Sequence, residues 1–503
     1  MTLLETINKN KPKEFVPSKY QLDIFNFIQD PNGGNGICNA VAGSGKTTTI
    51  VEGLKLIPKG NNALFAAFNK SIVEELKTRV PQTVDVQTLH SIGLMACKVA
   101  YGMRIKVDFR KYNNYIKAIA RSWELTDDDN PSEYKKKILK LCDLIRQNIC
   151  TDKSELMNIA VRNGVLISDT VDLDRAFEVV NICSDDTRSV DFTDMLYLPI
   201  RNNLDMVQNY DWVFIDECQD LNRAQQELLK KLVKKEGRWL AVGDSKQAIY
   251  GFAGADVESY DRLKRMASIE LPLSVSYRCS KSVVRFAQCI VPDILPSETA
   301  PEGQVNLKGK VKDIEDGDFV LCRNTAPLVD LCLTFIGKNR KAYIIGSDIG
   351  QGLIAMIEGT TRSMVDDMYE ELAKDRQELL ESLWRKGYTT EDALDSDVMQ
   401  RFEEKVQILK VISRVNKYER TSEMIRKIDE IFHSNESSSG VIFSTIHKAK
   451  GLEANTVHII CKELMPNAKA KKDWEIEQER NLMYVAYTRA KLNLNFVEDY
   501  KFI

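Results

Sequence analysis

The sequence predicts an α/β protein with two parallel-sheet domains, each interrupted by a helical insertion. Strand and helix patterns alternate up to about residue 91, and the alternation returns at about residue 210. Such alternation is typical of parallel sheets with crossover helices. A second alternating stretch begins near residue 271, and charged helical patterns interrupt both stretches. The predicted first domain is 1–91 with 186–270 and its insertion is 92–185; the predicted second domain is 271–360 with 434–503 and its insertion is 361–433.

The elements of the first domain follow from apolar periodicity. An apolar stripe over residues 19–30 predicts a short helix, and G-I-C-N-A before a glycine-rich turn predicts a strand. N-A-L-F-A-A-F (62–68) and W-L-A-V-G (239–243) predict further strands. Y-K-K-K-I-L-K-L-C-D-L-I (134–145) is amphipathic, which predicts a helical insertion between them.

The second domain shows the same organisation. Strands are predicted at F-V-L-C-R, A-Y-I-I-G, V-I-F-S-T, V-H-I-I and L-N-F-V. Met364, Met368 and Leu372, and later Phe402, Val406 and Leu409, recur at helical spacing among charged residues. This pattern predicts a hairpin of two long helices, followed by a linker at residues 434–440.

Composition limits the class of protein. Of 503 residues, 43% are hydrophobic and 28% are charged, which is typical of a soluble globular protein. The net charge of −3 excludes binding of a polyanion over the whole surface, so any nucleic-acid contact must be a local groove. No apolar run is long enough to cross a bilayer and no signal-peptide core begins the chain. We therefore expect a cytoplasmic protein without a membrane partner.

The cysteines do not form a ligand pattern. There are eleven of them, but pairs such as Cys142 and Cys150 are too far apart for C-x-x-C ligation, and the four histidines are scattered. We expect reduced and mostly buried thiols.

A glycine-rich turn predicts a phosphate site. A-V-A-G-S-G-K-T (40–47) matches the pattern of a P-loop, although Ala40 replaces its usual first glycine. Gly43 and Gly45 let backbone N–H groups curl around a phosphate, and Lys46 supplies a charge for the β and γ oxygens. Thr47 offers a hydroxyl to Mg²⁺, and the helix that starts here adds its positive end. Alone, the stretch is also compatible with an ordinary glycine turn.

Two acids follow a predicted strand at V-F-I-D-E-C-Q-D (213–220). Asp216 stands where a Mg²⁺-binding acid of a P-loop protein belongs, and Glu217 is the candidate general base that polarises the attacking water. A strand that ends at a solvated acidic loop is the structural alternative, which the upstream P-loop makes weaker. Together the two stretches predict an ATPase.

Four further motifs identify the kind of ATPase. They are G-D-S-K-Q-A-I-Y-G-F-A-G-A-D (243–256), S-Y-R-C-S (276–280), S-T-I-H-K-A-K-G-L-E (444–453) and E-R-N-L-M-Y-V-A-Y-T-R-A-K (479–491). With the P-loop and D-E-C-Q-D, and in this order, they resemble the UvrD/Rep/PcrA family of superfamily 1 DNA helicases over nearly the whole chain. The resemblance implies two RecA-like P-loop domains with ATP and Mg²⁺ in the cleft between them. It also implies movement along single-stranded DNA, typically 3′ to 5′, and separation of duplexes at single/double-strand junctions.

The resemblance assigns roles to residues around the nucleotide. Gln21 is the adenine-reading glutamine, since an amide both donates and accepts. Gln247 senses the γ-phosphate, Gln219 is a neighbouring coupling residue, and Glu453 lies near the ribose. The implied catalytic set is Lys46, Glu217, Gln247, Arg278 and Arg489. The implied nucleotide-binding set is Gln21, Ala42, Gly43, Ser44, Gly45, Lys46, Thr47, Thr48, Tyr277, Arg278, Glu453 and Arg489, with Thr47 and Asp216 at the metal.

Two arginines carry the expected coupling of the domains. Arg278 reaches the γ-phosphate and Arg489 is the arginine finger, so that ATP draws the domains together. An ordinary surface salt bridge is the alternative for each. Two residues depart from the family: Thr48 stands where an arginine often stacks on the base, so stacking rests more on Tyr277. Ala253 stands where a DNA-contacting arginine is common.

A nucleic-acid track is also implied by the motifs. Aromatic faces give a translocase a sequence-tolerant grip. The implied DNA-binding residues are Phe68, Asn69, Lys70, Thr88, His90, Tyr250, Phe252, Thr445 and His447. Core packing is the alternative for the aromatic residues, and the basic loop of Lys469, Lys471 and Lys472 is interpreted as a solvated surface or a duplex contact.

Three functions stay open from the sequence. The leading one is a DNA helicase and translocase; the others are a motor that displaces proteins from DNA with weak unwinding, and an ATP-switched DNA sensor subunit. RNA as the track is not excluded by the motifs. The second insertion is short for the family, so strand separation is expected to be weak, or to need a protein partner or self-association. The compact chain suits a bacterial cell or a phage-infected host cytosol, and no nuclease domain is expected after residue 503.

Overall fold

The computed structural model describes residues 15–67, 69–120, 123, 131–165, 167, 169–249, 258–385, 388–433, 440–468 and 470–502. Two parallel sheets dominate it, one of six strands and one of seven. The predicted α/β class with two RecA-like parallel sheets is confirmed. Among these residues, no helix is both long and apolar enough to cross a membrane.

The chain begins with the first half of the first sheet. Its elements are α1 (Lys19–Gln29), β1 (Gly36–Ala40), α2 (Lys46–Leu54), β2 (Ala63–Ala67), α3 (Lys70–Lys77), β3 (Val84–Thr88) and α4 (Leu89–Tyr101). Helix α1 starts at a capping box, in which the side chain of Ser18 accepts from the N–H of Gln21 and the Gln21 side chain accepts from the N–H of Ser18.

A helical subdomain follows α4. It consists of β4 (Lys106–Val107), α5 (Lys111–Ile119), α6 (Pro131–Asn148), α7 (Lys153–Arg162), α8 (Thr170–Asp185), β5 (Ser189–Val190) and α9 (Asp194–Arg201). Its apolar cluster runs from Cys97 to Leu198 and includes Val190 and Met195. The predicted end of this insertion at residue 185 is therefore corrected, because the chain up to α9 is buried in the helical cluster.

The first sheet is completed after this subdomain. The remaining elements are β6 (Tyr210–Ile215), α10 (Arg223–Leu232), β7 (Val233–Gly243), α11 (Ser259–Met266) and β8 (Ile269–Leu273). The strand order is β3-β2-β6-β7-β1-β8, and every adjacent pair is parallel. The order places the ends of β1 and β6 on the same edge of the sheet, with β7 between them.

Strand β8 changes the predicted boundary between the domains. The second domain was predicted to begin at residue 271, but Ile269–Leu273 pairs with β1 throughout. Leu271 and Leu273 are buried in the first core. Pro272 is tolerated because β8 is an edge strand, which leaves one side without ladder hydrogen bonds.

The second sheet is built from both sides of the second insertion. Before it lie β9 (Val275–Ser276), α12 (Lys281–Ala287), β10 (Leu295–Pro296), β11 (Gln304–Gly309), β12 (Phe319–Cys322), α13 (Thr325–Gly337), β13 (Ala342–Ile345) and α14 (Ser347–Gly359). The insertion supplies α15 (Val365–Arg385), α16 (Thr390–Asp395), α17 (Asp397–Asn416) and α18 (Thr421–Ile431). After it lie β14 (Phe432–His433), β15 (Val441–Thr445), β16 (Ala454–Ile459), α19 (Asp473–Tyr487) and β17 (Ala490–Val497). The order is β11-β17-β16-β12-β15-β13-β14.

The second insertion is more than the predicted hairpin. The two long helices α15 and α17 are present, but α16 and α18 accompany them. Met368, Leu372 and Leu409 belong to one apolar cluster with Leu331 and Phe443 of the sheet layer. The base of the insertion is thus continuous with the second core, because its apolar stripes face the sheet. Its distal part, around Leu380, Ala393 and Met399, forms a separate small cluster.

Most of the cysteines are buried, as predicted. All eleven are free, and Cys289 alone among them is exposed. The expected residues Phe68, Tyr250, Phe252, Ala253 and Lys469 lie outside the described residues, as does most of the 434–440 linker.

Candidate nucleotide and nucleic-acid sites

The predicted phosphate loop connects β1 to α2. Gly43 has φ +70° and Gly45 has φ +76°, a left-handed conformation that side chains rarely adopt. A Cβ at Gly43 would also lie 2.4 Å from the Cβ of Arg278. The loop therefore requires glycine at both positions, and at Gly43 it closely approaches the segment after β9.

The P-loop contacts both acids at the end of β6. Lys46 Nζ donates to Glu217 Oε2 at 2.9 Å, and Thr47 Oγ1 donates to Asp216 Oδ2 at 2.9 Å. The backbone N–H of Glu217 donates to Asp216 Oδ1 at 2.9 Å. Glu217 has φ 52°, which is uncommon for a non-glycine residue and common at functional sites. The two predicted acids thus face the two predicted P-loop side chains.

Burial and charge shift the protonation of this cluster. Burial and the neighbouring Glu217 raise the pKa of Asp216 above its ordinary value. Partial burial alone would raise the pKa of Glu217, but Lys46 and Gln219 outweigh it and lower that pKa. Burial would lower the pKa of Lys46, but Glu217 and Asp216 raise it instead. Glu217 is therefore ionised and Lys46 is charged at neutral pH.

A chain of polar contacts runs from Glu217 towards the second sheet. Gln219 Nε2 donates to Glu217 Oε2 at 2.7 Å, and Gln219 Oε1 accepts from the N–H of Asp244 at 3.0 Å. Gln247 Nε2 donates to Asp244 Oδ2 at 2.7 Å. Arg489 Nη2 then donates to Gln247 Oε1 at 3.4 Å. We call this run of side chains, Glu217 to Arg489, the polar relay.

Arg489 reaches the relay from the turn between α19 and β17. Its Nε donates to the carbonyl of Val485 at 3.0 Å and its Nη1 to the carbonyl of Leu452 at 3.1 Å. The side chain is buried, and burial together with Arg278 lowers the pKa of Arg489 to about 10. The guanidinium therefore stays charged at neutral pH, in a place where one more anionic partner would be favourable.

Arg278 lies beside the P-loop but is paired with an acid. Its Nε lies 2.6 Å from Glu453 Oε2, and Lys491 Nζ lies 2.7 Å from Glu453 Oε1. Glu453 is thus held by two cations of the second sheet layer. The ribose contact that the resemblance implies for Glu453 is not tested by this geometry.

The predicted adenine-binding residues contact the P-loop and the helix that follows it. Gln21 is buried and its Nε2 donates to Thr49 Oγ1 at 2.9 Å. Tyr277 is 47% exposed, and its N–H donates to the carbonyl of Gly43 at 2.8 Å. Thr48 is half-buried at the start of α2. The ring of Tyr277 is therefore free to stack, whereas Gln21 already uses its amide locally.

Tyr484 contacts the P-loop and was not singled out from the sequence. The N–H of Ala42 donates to the Tyr484 hydroxyl at 2.8 Å, across the boundary between the two sheets. Tyr484 is fully buried. Tyr484 lies in one of the helicase motifs, but a tyrosine in the apolar second half of a helix gives no sign that its hydroxyl faces a phosphate loop.

The residues at the P-loop fit a magnesium–nucleotide complex. The hydroxyl oxygens of Ser44 and Ser276 are buried and have no hydrogen-bond partner among the described residues. Buried polar groups without partners are uncommon and point to a missing ligand. Thr47 and Asp216 offer oxygen donors, which Mg²⁺ prefers. Phosphate oxygens in this cradle would satisfy the free donors.

The predicted DNA-contacting residues that the structure describes lie at or just after strand ends, and several of their side chains already hydrogen-bond to the backbone. Asn69 Oδ1 accepts from the N–H of Ile72, and Thr88 Oγ1 accepts from the N–H of Ser91, so each caps a helix. Thr445 Oγ1 accepts weakly from the N–H of Lys448 at 3.4 Å. Lys70 is exposed. Burial and Arg323 lower the pKa of His447 to about 3, so this ring is neutral.

His90 contacts an aromatic residue that sequence reasoning missed. The rings of His90 and Phe192 lie 4.8 Å apart between centroids. Phe192 is 51% exposed and precedes α9 of the first helical subdomain. The stretch S-V-D-F gives no periodic signal for this position, so only the tertiary fold brings Phe192 to the end of β3.

Comparisons with known proteins identify the family. Residues 26–268 match the family described as the UvrD/REP helicase N-terminal domain, and residues 440–497 match the UvrD-like helicase C-terminal domain. Together the two matches cover more than half of the chain.

Curated relatives are similar over different shares of the chain. F-box DNA helicase protein 1 of Schizosaccharomyces pombe is 22% identical over 515 residues, covering 90% of this chain and 54% of the relative. F-box DNA helicase 1 of Gallus gallus is 24% identical, covering 90% of this chain and 46% of the relative. ATP-dependent DNA helicase Rep of Escherichia coli is 25% identical, covering 50% and 40%. The chain spans about half the length of the curated relatives it matches, and it belongs to the UvrD/Rep family of DNA helicases.

Proposed function

We propose that this chain is an ATP-dependent translocase on single-stranded DNA and a DNA helicase that moves 3′ to 5′. The observation that carries the proposal is the polar relay, which links Glu217 at the P-loop to Arg489 of the second sheet layer. A contact of this kind lets hydrolysis at one sheet change how the other sheet is held. The family membership and the names of the relatives support DNA as the track. The direction is inferred from the resemblance of the G-D-S-K-Q-A-I-Y-G-F motif.

The P-loop would hold the triphosphate of ATP. Lys46 would donate to the β and γ oxygens, and Thr47 with Asp216 would hold Mg²⁺. When bound, Mg²⁺ neutralises charge on the phosphate oxygens. Lys46 is now paired with Glu217 at 2.9 Å, so nucleotide binding would draw Lys46 away and leave Glu217 as a base. The resting ion pair therefore keeps the base occupied until the substrate arrives.

The two arginines would sense the γ-phosphate. Arg489 lies against Gln247, which itself hydrogen-bonds Asp244. Arg278 stands beside Gly43 and is held by Glu453. Both guanidinium groups would gain the γ-phosphate as an anionic partner in the nucleotide complex. Hydrolysis and phosphate release would remove that partner. This exchange would couple turnover to the relative position of the sheets.

Turnover and unwinding assays test the proposal. ATP hydrolysis is measured with and without single-stranded DNA, followed by unwinding of 3′-tailed and 5′-tailed duplexes. We expect DNA-stimulated hydrolysis and unwinding of the 3′-tailed substrate. Stimulated turnover without directional movement would instead indicate an ATP-switched sensor, and stimulation by RNA alone would contradict DNA as the track.

The second insertion favours a second candidate, a motor that displaces proteins from DNA. Helices α15, α17 and α18 share the core of the second sheet, and among the described residues only α16 with the distal ends of α15 and α17 forms a separate small cluster. An insertion anchored to the sheet in this way would offer only this short distal end as an independent surface to a duplex. Displacement of a protein from a coated strand, together with weak unwinding of a long tailed duplex, would support this candidate. Robust unwinding by the monomer would exclude it, and unwinding that rises with protein concentration would indicate self-association.

A further inference from the structure

A row of three aromatic rings leads from the end of β3 onto the first helical subdomain. His90 lies 4.8 Å from Phe192, and Phe192 lies 5.7 Å from Phe109, with the two phenylalanine rings inclined by 29°. Phe109 is 71% exposed and Phe192 is 51% exposed. We call His90, Phe192 and Phe109 the aromatic row. Its outer member, Phe109, belongs to none of the helicase motifs.

The pairing of two short strands aligns the outer rings. Strands β4 and β5 are parallel, with Val107 opposite Val190. The N–H of Asp108 donates to the carbonyl of Val190 at 2.9 Å, which extends the pairing. Continuing this register by two residues places Phe109 beside Phe192. The stack is thus a consequence of strand register and not of an apolar core.

Buried ion pairs hold both phenylalanines in place. Asp191 and Asp194, on either side of Phe192, accept from Arg146 Nη1 at 2.7 and 3.0 Å. Lys111, two residues after Phe109, donates to Asp194 Oδ2 at 2.8 Å. Arg146, Lys111 and Asp194 are all fully buried. Rings that are exposed but rigidly supported lose little conformational freedom when they bind a ligand.

Cations without ion-pair partners lie close to Phe109 in the chain. Arg104, Lys106 and Arg110 are exposed, and none of them forms an ion pair with another described residue. The nearby acid Asp108 accepts from the backbone N–H of Arg110, and Asp186 is paired with Arg188. Exposed stacking rings with free cations are the combination that binds single-stranded nucleic acid without sequence preference. A protein partner would find a small apolar contact with an excess of positive charge.

We propose that Phe109, with Arg104, Lys106 and Arg110, extends the single-stranded DNA track onto the helical subdomain, where Phe109 stacks on a base and the cations contact phosphates. This inference rests on the proposed function, because it assumes that a strand passes His90. The strand would continue from His90 past Phe192 to Phe109. The binding site of the whole chain would therefore cover more nucleotides than the motif residues alone can contact.

Binding of oligothymidylates of increasing length tests the extension. Fluorescence anisotropy is measured for the wild type, Phe109→Ala, Phe109→Trp and a triple variant with Arg104, Lys106 and Arg110 changed to Gln. We expect Phe109→Ala to bind long strands about 10-fold more weakly and short strands unchanged, and Phe109→Trp to restore the affinity. Because a phosphate contact on single strands contributes about 0.7 to the salt slope, we expect the triple variant to lose a slope of about 2.

Matched variants separate this site from general effects. Trp384→Ala removes an exposed aromatic of the second insertion, and Lys59, Lys235 and Lys308 changed to Gln remove three exposed cations elsewhere. These controls are expected to bind as the wild type does, and ATP turnover without DNA stays unchanged in all variants. Unchanged affinity and salt slope in the Phe109 and triple variants, with normal wild-type binding, would overturn the extension alone. Capture of a protein through Phe109 under those conditions would assign this face to a protein partner. Absence of strand binding by the wild type would overturn the proposed function itself.

Discussion

Lys46 Nζ lies 2.9 Å from Glu217 Oε2, so the P-loop lysine and the strand-end glutamate form an ion pair inside the candidate nucleotide site. The pair joins residues that are 171 positions apart in the chain. It keeps Glu217 ionised and keeps the lysine at the place where a phosphate would bind. If Glu217 is the proposed general base, it is charged but occupied by Lys46, and it needs the nucleotide to displace Lys46 before it can accept a proton.

We expect Glu217→Gln to bind nucleotide and to lose turnover. The amide keeps the shape of the side chain but cannot accept a proton, so hydrolysis falls at least about 100-fold. Phosphate release measures turnover, and a fluorescent ATP analogue measures binding. Glu236→Gln, which changes an exposed glutamate, is the matched control. A Glu217→Gln variant that still cycles normally would refute the assignment of the base.

Arg489→Lys tests the end of the polar relay. Lysine keeps the charge but cannot make the contacts of the guanidinium to Gln247, Leu452 and Val485 together. If Arg489 is the proposed arginine finger, we expect turnover to fall by about 1,000-fold, with a smaller loss of nucleotide affinity. Arg420→Lys, at an exposed arginine of the second insertion, serves as the control. A fall in turnover that is accompanied by a marked fall in melting temperature would instead indicate that Arg489 has a purely structural role.

Tyr484→Phe removes the hydroxyl that accepts from the N–H of Ala42. A lost buried hydrogen bond costs about 1 kcal/mol, so we expect nucleotide binding to weaken about 5-fold through a less ordered P-loop. Tyr487→Phe, at another buried tyrosine of the same helix, is the comparison. If both variants bind the nucleotide analogue equally well, the contact has no role in nucleotide binding.

The ion pair between Lys450 and Asp220 holds the two sheet layers together. Lys450 Nζ lies 2.6 Å from Asp220 Oδ2 and also donates to the carbonyl of Gln247 at 2.9 Å. Each side chain is only 11% exposed. A double-mutant cycle of Asp220→Asn and Lys450→Met, followed by urea unfolding, is expected to give a coupling energy of about 1–3 kcal/mol. Additive effects of the two substitutions would show that the pair contributes nothing to the contact between the layers.

His447 is expected to make the free energy of unfolding fall as the pH is lowered. Its pKa is lowered to about 3 in the folded chain, first by burial and then by Arg323. The unfolded chain binds a proton near pH 6.5, so acidification favours unfolding, and the stabilising contribution present above pH 6.5 is lost as the pH falls towards 3. Between pH 7.5 and 5, His447→Gln is expected to lose about 2 kcal/mol less stability than the wild type. Urea unfolding at both pH values checks this, and equal losses would contradict a half-buried ring that is neutral in the folded chain.

Much of the local structure follows from the sequence. The strands before the P-loop and before Asp216 were predictable because buried parallel strands are short apolar runs that end at glycine or at acids. The position of β8 was not predictable, since I-E-L-P-L contains a proline and its role depends on an open sheet edge. The position of α18 was not predictable either, because its apolar stripe packs on the second sheet and the sequence does not show that partner.

By itself, the sequence determined the α/β class, the order of the motifs and the residue types available for phosphate chemistry, because each depends on neighbours within a few positions. Only the tertiary structure decided that Lys46 meets Glu217, that Tyr484 reaches Ala42 and that Phe109 stacks beyond His90 and Phe192. These contacts join distant parts of the chain, and their geometry depends on strand register and on how two sheets pack. Local residue patterns carry no information about either.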